Sequence, residues 1–182
     1  MNKFTKSRIV LVIIVLMFAI PLIAAFVIRS SGWQPTNTKN SGTLVIPPRD
    51  MTNAAASSAD GTPFAWKDAQ FHWTLALFPS ADCATKCVER VDEAVRMRLT
   101  LGHNAERLRI VYIGPSQSNE FFASRAPLSF VRDESNDFAD EHARNNDSLA
   151  LALIDPNGLL MMRYPDGYSA QGLRSDIMRI IY

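Results

Sequence analysis

The hydrophobic pattern divides this chain into three unlike parts. Ile9 to Ile28 reads IVLVIIVLMFAIPLIAAFVI, with no charged or strongly polar residue. A helix of about 20 apolar residues spans a hydrocarbon core. Pro21 is tolerable within it, because the freed backbone groups can be re-satisfied locally. The second part is the reverse. SSGWQPTNTKNSG and MTNAAASSADG are rich in Ser, Asn, Thr, Ala and Gly, have little to bury, and predict a flexible linker over 29–62. Between them TLVIPPRDM carries a short apolar run that can pack on a domain, stiffened by Pro47 and Pro48.

From residue 63 to 182 the pattern is that of one modest folded domain. Phe71 to Phe78, FHWTLALF, predicts a buried strand broken by Pro79 and Ser80. A helix follows, with Asp82 placed to cap it and Cys87, Val88, Val91, Ala94, Val95 and Leu99 at helical spacing. Gly102 is its expected stop. Leu108 to Gly114 predicts a second buried strand, and strand–helix–strand at this spacing gives a right-handed crossover between parallel strands. Leu128 to Val131 reads as a short edge strand and SNDFADEHARNN as a short polar helix. Leu149 to Ile154 is a buried strand, DPNG a turn, and LLMMRY the second arm of a hairpin. A last helix from about Ser169 to Ile181 puts Leu173, Ile177 and Ile180 on one face. The order is the thioredoxin arrangement: an α/β fold with a central mixed sheet flanked by helices, preceded by one transmembrane helix.

Charge adds an orientation. The formal net charge is +1, and past the first thirty residues no basic stripe or run appears, which gives no reason to expect nucleic acid. Lys3, Lys6 and Arg8 precede the apolar run and Arg29 alone follows it closely. The positive-inside rule then places residues 1–8 in the cytoplasm, 9–28 in the membrane and the remainder across it; the expected setting is a bacterial inner membrane with the remainder in the periplasm. The run exceeds the usual signal-peptide core of about 7–15 residues and no clear A-x-A site follows, so a retained anchor is expected. Asp133, Glu134, Asp137, Asp140, Glu141 and Asp147 form an acidic stretch, either a solvated surface or a face for a basic partner.

The chemistry centres on the two cysteines of the chain, Cys83 and Cys87, at the junction of the first strand and helix. Positions i and i+4 share a helix face, and Cα atoms roughly 6 Å apart can be bridged by a disulfide. A helix N-terminus stabilises thiolates. The pair therefore suits dithiol–disulfide exchange, a soft metal such as Cu(I), or a structural disulfide, which in so small a loop stabilises little. Zinc is disfavoured for want of a second cysteine cluster. Cys83, at the helix start, is expected to be the more exposed thiol.

An N-terminal anchor, an exported thioredoxin-like domain and CxxxC at its first helix resemble the Sco family of cytochrome c oxidase assembly proteins, and LALALIDPNGLL is similar to that family's strand and hairpin before the last helix. The resemblance implies copper delivery to the oxidase or reduction of its cysteines, with Cys83 and Cys87 as the copper and redox pair. The family's third copper ligand is a histidine shortly before the strand entering the DPxG hairpin. Counting back from Asp155, that place holds Asp147. A carboxylate is a hard ligand and a poor substitute for imidazole on Cu(I), so His142 is the candidate to swing in. His72 reads as a core or strand-edge residue and His103 as solvated. Met161 and Met162 face opposite ways along a strand, so at most one reaches a metal. The expected partner is an oxidase subunit or another respiratory-complex protein at the membrane. The alternative is a thioredoxin-fold binding module that scaffolds such a complex without catalysis.

Overall fold

The computed structural model describes residues 3–31 and 40–181. The chain divides into two compact units, Met1–Lys39 and Asn40–Tyr182. The first holds helix α1, Lys3–Ser30, with Pro21 inside it. Its Arg8–Ser30 segment is 23 residues long with mean hydropathy 3.2, long and apolar enough to cross a membrane.

The second unit is a seven-stranded mixed sheet. Its strands are β1 (Thr43–Asp50), β2 (Ala56–Ser58), β3 (Trp73–Pro79), β4 (Leu108–Tyr112), β5 (Leu128–Asp133), β6 (Leu149–Ile154) and β7 (Leu159–Tyr164). They lie in the order β1-β7-β6-β3-β4-β5-β2. β3, β4 and β5 run parallel, and the remaining pairings are antiparallel. Helices α2 (Thr85–Leu99), α3 (Asn119–Ala123) and α4 (Ala170–Ile180) complete it.

Strand alternation builds two cores. Leu75 and Leu77 of β3, with Leu149, Leu151 and Leu153 of β6, pack beneath Cys87, Val91 and Ala94 of α2 and Leu173 and Ile177 of α4. Ala76, Phe78, Ala152 and Ile154 point the other way. That face is covered by non-helical chain, through Met51, Trp66 and Phe138. Trp66 lies 4.8 Å from Phe138, which stacks on Phe78 at 5.4 Å. Each such fully buried side chain contributes about 1.5–3 kcal/mol.

Several expectations change. Of the linker expected over 29–62, residues 32–39 lie outside the described residues, but 43–50 and 56–58 are strands, so the folded unit begins at Asn40 rather than at 63. TLVIPPRD is an edge strand, where the missing N–H groups of Pro47 and Pro48 cost no ladder bond. It is tied down by the buried carboxylate of Asp176, whose Oδ2 accepts from Ser41 N–H at 2.8 Å and Gly42 N–H at 3.0 Å. At Gly42 any Cβ would run into the Tyr164 ring. Because β2 takes the other edge, the strand at 128 is interior. The expected polar helix over 135–146 contracts to a short 3-10 turn, Ala139–Glu141, with Glu141 and the preceding Phe138 turned inward. Leu99, expected on the apolar face of α2, is exposed because the helix ends there.

Candidate functional site

Parallel strands β3 and β4 end side by side, and the chain leaving β3 passes straight into the cysteine loop. Two bonds stitch that loop to the segment entering β6: Ser80 N–H donates to the Ser148 carbonyl at 3.0 Å, and Ser148 N–H to Ser80 Oγ at 3.1 Å. Cys83 lies just before α2 and is half-buried, whereas Cys87, in its first turn, is wholly buried. The two sulfurs form a disulfide, with Cα atoms 5.2 Å apart. Cys83 stands one residue ahead of the N-cap Ala84, so the turn that enters α2 brings it to Cys87, and the burial of α2 against the sheet makes the two unequal.

Asp82 does not cap the helix. The N-cap position is Ala84, which has no side-chain acceptor to offer. The cap comes from Asp147, more than sixty residues away. Its Oδ1 accepts from Ala84 N–H at 2.7 Å and Cys87 N–H at 2.9 Å, and its Oδ2 from Lys86 N–H at 2.9 Å. These are three of the donors that a helix start leaves without intrahelical partners. The N–H groups of Cys87 and then Lys86, with Ala84 behind them, hold the Asp147 carboxyl below its ordinary range. Asp147 has φ +49°. Its own N–H reaches Asp82 Oδ1 at 3.3 Å, so Asp82 steadies the capping residue instead of the helix. Nothing in local spacing reveals this. The faint signal is a helix beginning at Ala84–Thr85 with no side-chain cap of its own.

His142 is placed differently from the expectation that it completes a metal site. Its Nδ1 donates to the Pro79 carbonyl at 2.8 Å and its ring meets Phe78 edge-on at 5.5 Å. It lines a groove of about 510 Å³ with Pro79, Ala81, Gly114 and Arg132, at the carboxyl ends of the parallel strands. The Pro79 bond and the Phe78 packing hold the ring at the end of β3. His72 Nδ1 pairs with Asp68 at 2.8 Å, and Arg109 lies 3.5 Å from the same carboxylate. His103 is exposed in the 3-10 segment Gly102–Arg107. Met162 is buried and Met161 half-buried. Among the described residues, no three His, Cys, Asp or Glu side chains gather as metal ligands. The soft donors at the site are the two sulfurs, and the carboxylate at the third-ligand place is already an acceptor for backbone.

Most of the acidic stretch is engaged by hydrogen bonds within the unit, although only Glu141 is buried. Asp133 accepts from Asp137 and Phe138 N–H, Glu134 from Ser57, and Asp137 from Ser135. Glu141 is buried and held bidentately by Arg163, with Arg49 at 3.5 Å. Glu134 and Asp140 are exposed.

The fold is that of several solved proteins. Yeast Sco1 with copper bound superposes with a TM-score of 0.56 at 14% identity, covering 80% of this chain and 94% of that one. A SCO1/SenC family lipoprotein from Bacillus anthracis gives 0.51 at 19% identity, covering 74% and 95%. A putative thiol:disulfide interchange protein DsbE from Chlorobium tepidum gives 0.54 at 14% identity, covering 74% and 98%. No curated protein matches the chain in sequence. A family model described as a transmembrane-like, thioredoxin-like, C-terminal domain matches residues 73–181. That match runs from the first residue of β3 to the residue after α4, well over half of the chain, and the protein therefore belongs to the transmembrane-like, thioredoxin-like C-terminal domain family.

Proposed function

We propose that this protein is a membrane-anchored thiol–disulfide exchange module, exposed on the outer side of a bacterial cytoplasmic membrane, that assists cytochrome c oxidase assembly. The observation that carries the reading is the asymmetry of the pair: a disulfide at the first βα junction between one half-buried cysteine and one wholly buried. A partner thiolate attacks Cys83 Sγ, the Cys83–Cys87 bond breaks, and Cys87 leaves as the thiolate. A second partner thiolate then attacks the partner's own sulfur in the mixed disulfide and releases Cys83. The partner dithiol becomes a disulfide, this pair becomes a dithiol, and the partner's two protons end on Cys83 and Cys87. The reverse sequence reduces a partner. Disulfides persist in exported compartments, in accord with the cationic residues Lys3, Lys6 and Arg8 ahead of the apolar run Ile9–Ile28. The Sco and DsbE-like folds support a thiol or copper role, and the oxidase is the partner that the Sco resemblance points to.

Copper(I) as cargo would draw on the same two sulfurs after reduction. The third ligand does not fit. Asp147 is a hard carboxylate engaged by three N–H groups, and His142 is bonded to Pro79. Thiol exchange needs only the pair.

A trapping experiment tests the reading. In Cys87→Ser, Cys83 remains reachable and Cys87 is no longer there to resolve the mixed disulfide, so a partner accumulates on Cys83. In Cys83→Ser the buried Cys87 captures little. Mass spectrometry of membranes quenched with acid and alkylated should identify an oxidase-subunit cysteine on Cys83. Absence of any adduct, together with full oxidase activity in a deletion strain carrying the double serine variant, would overturn the proposal and leave the non-catalytic scaffold.

A further inference from the structure

We propose that Asp147 is a positioning residue for the Cys83–Cys87 pair: its carboxylate occupies the free N–H groups at the start of α2, biases the pair toward the disulfide, and so makes the domain a reductant of its partner. The inference rests on the thiol-exchange reading and adds to it a direction of electron flow.

A free helix N-terminus favours thiolates, because its unpaired N–H groups and dipole face the sulfur. Here those groups are already taken. Ala84 and Lys86 lie between the two cysteines and Cys87 is one of them, and all three N–H groups point at Asp147 within 2.9 Å. A thiolate formed as the disulfide opens meets a fixed negative charge and donors in use. The disulfide, being neutral, meets neither penalty. Asp147 is not free to withdraw, since Asp82 holds its N–H and the two Ser80–Ser148 bonds hold its neighbour. A pair whose reduced form is disfavoured has a low reduction potential and passes electrons on; stabilising the reduced form makes an oxidant.

The steps balance as follows. Cys83 thiolate attacks a partner disulfide, and one partner sulfur leaves as thiolate. Cys87 thiolate attacks Cys83 Sγ, releasing the second partner thiolate and closing the Cys83–Cys87 bond. The two protons of the dithiol pass to the partner. A dithiol donor of still lower potential must regenerate the pair.

The test uses the full chain in detergent, equilibrated against dithiothreitol buffers of graded potential, with the dithiol fraction read by thiol alkylation. Asp147→Asn keeps the shape and removes the charge, and Asp147→Glu restores the charge. The asparagine variant is expected to shift the equilibrium toward dithiol about three- to tenfold, about 15–30 mV less negative for a two-electron couple. The glutamate variant should stay within about twofold of the parent, below about 10 mV. If Asp147→Asn lowers the thermal stability of both redox forms equally and leaves the potential unchanged, Asp147 is only a helix cap and the inference fails. A shift to more negative potential sinks it too. A pair that does not reduce reversibly in the parent protein overturns the exchange reading itself, which distinguishes that failure from this one.

Discussion

Replacing Asp176 by alanine tests whether the first strand belongs to the fold. Asp176 sits on α4 and is 1% exposed. Its Oδ2 accepts from Ser41 N–H at 2.8 Å, Gly42 N–H at 3.0 Å and Tyr164 Oη–H at 3.3 Å. Hydrogen bonds to a charged group contribute about 1.5–3 kcal/mol each, so three would lose about 4–9 kcal/mol gross. Removing the carboxylate also relieves the cost of burying it. Among the described residues its Oδ1 is buried with no hydrogen-bond partner, and Arg179 lies 3.8 Å away; such desolvation costs several kcal/mol. The balance is a destabilisation of about 3 kcal/mol in Asp176→Ala. Asp176→Asn, which retains one carbonyl acceptor, should lose about half of that. Urea unfolding of the full chain in micelles, followed by tryptophan fluorescence, reads it, since Trp66 is buried and reports on the sheet unit. Limited proteolysis before β1 should accelerate in parallel. If Asp176→Ala unfolds within about 0.5 kcal/mol of the parent, the pairing of β1 with β7 alone holds residues 41–50 and the anchoring role assigned to Asp176 is wrong.

Two further outcomes follow from burial. Tyr164 and Tyr168 have phenol pKa values raised first by burial, then by the Asp176 charge for Tyr164 and the Glu93 charge for Tyr168. The folded state thus keeps both neutral where the unfolded chain ionises them near pH 10. Their stabilisation is complete below that pH and is lost as pH rises through the folded values. Between pH 10 and 11 each should remove about 1 kcal/mol, and Tyr164→Phe should abolish its share in urea titrations at those pH values. Gly114→Ala would drive a Cβ into the Pro79 ring at the end of β3. A loss of about 1–3 kcal/mol by thermal unfolding is expected, with faster reduction of the disulfide by dithiothreitol; an unchanged melting temperature would contradict the packing.

The sequence by itself determined the elements whose signals are local. A continuous apolar run can only be a spanning or buried helix. LALALI followed by DPNG can only turn back on itself, and there Gly158 takes φ +86° and Asp155 Oδ1 accepts from Asn157 and Leu159 N–H. The close spacing of Cys83 and Cys87 at the start of a helix allowed their approach, and the strand before them fixed which end of the sheet they occupy. Tertiary structure decided the rest, because it turns on groups distant along the chain. TLVIPPRD looks like linker until a carboxylate 134 residues away takes the Gly42 N–H. Asp147 looks like a lost metal ligand until α2 sets three N–H groups against it, and Glu141 looks solvated until Arg163 closes over it. Local pattern reports what a segment can bury. Which polar group satisfies which depends on where the chain returns, and in this protein that decides the chemical surroundings of the disulfide.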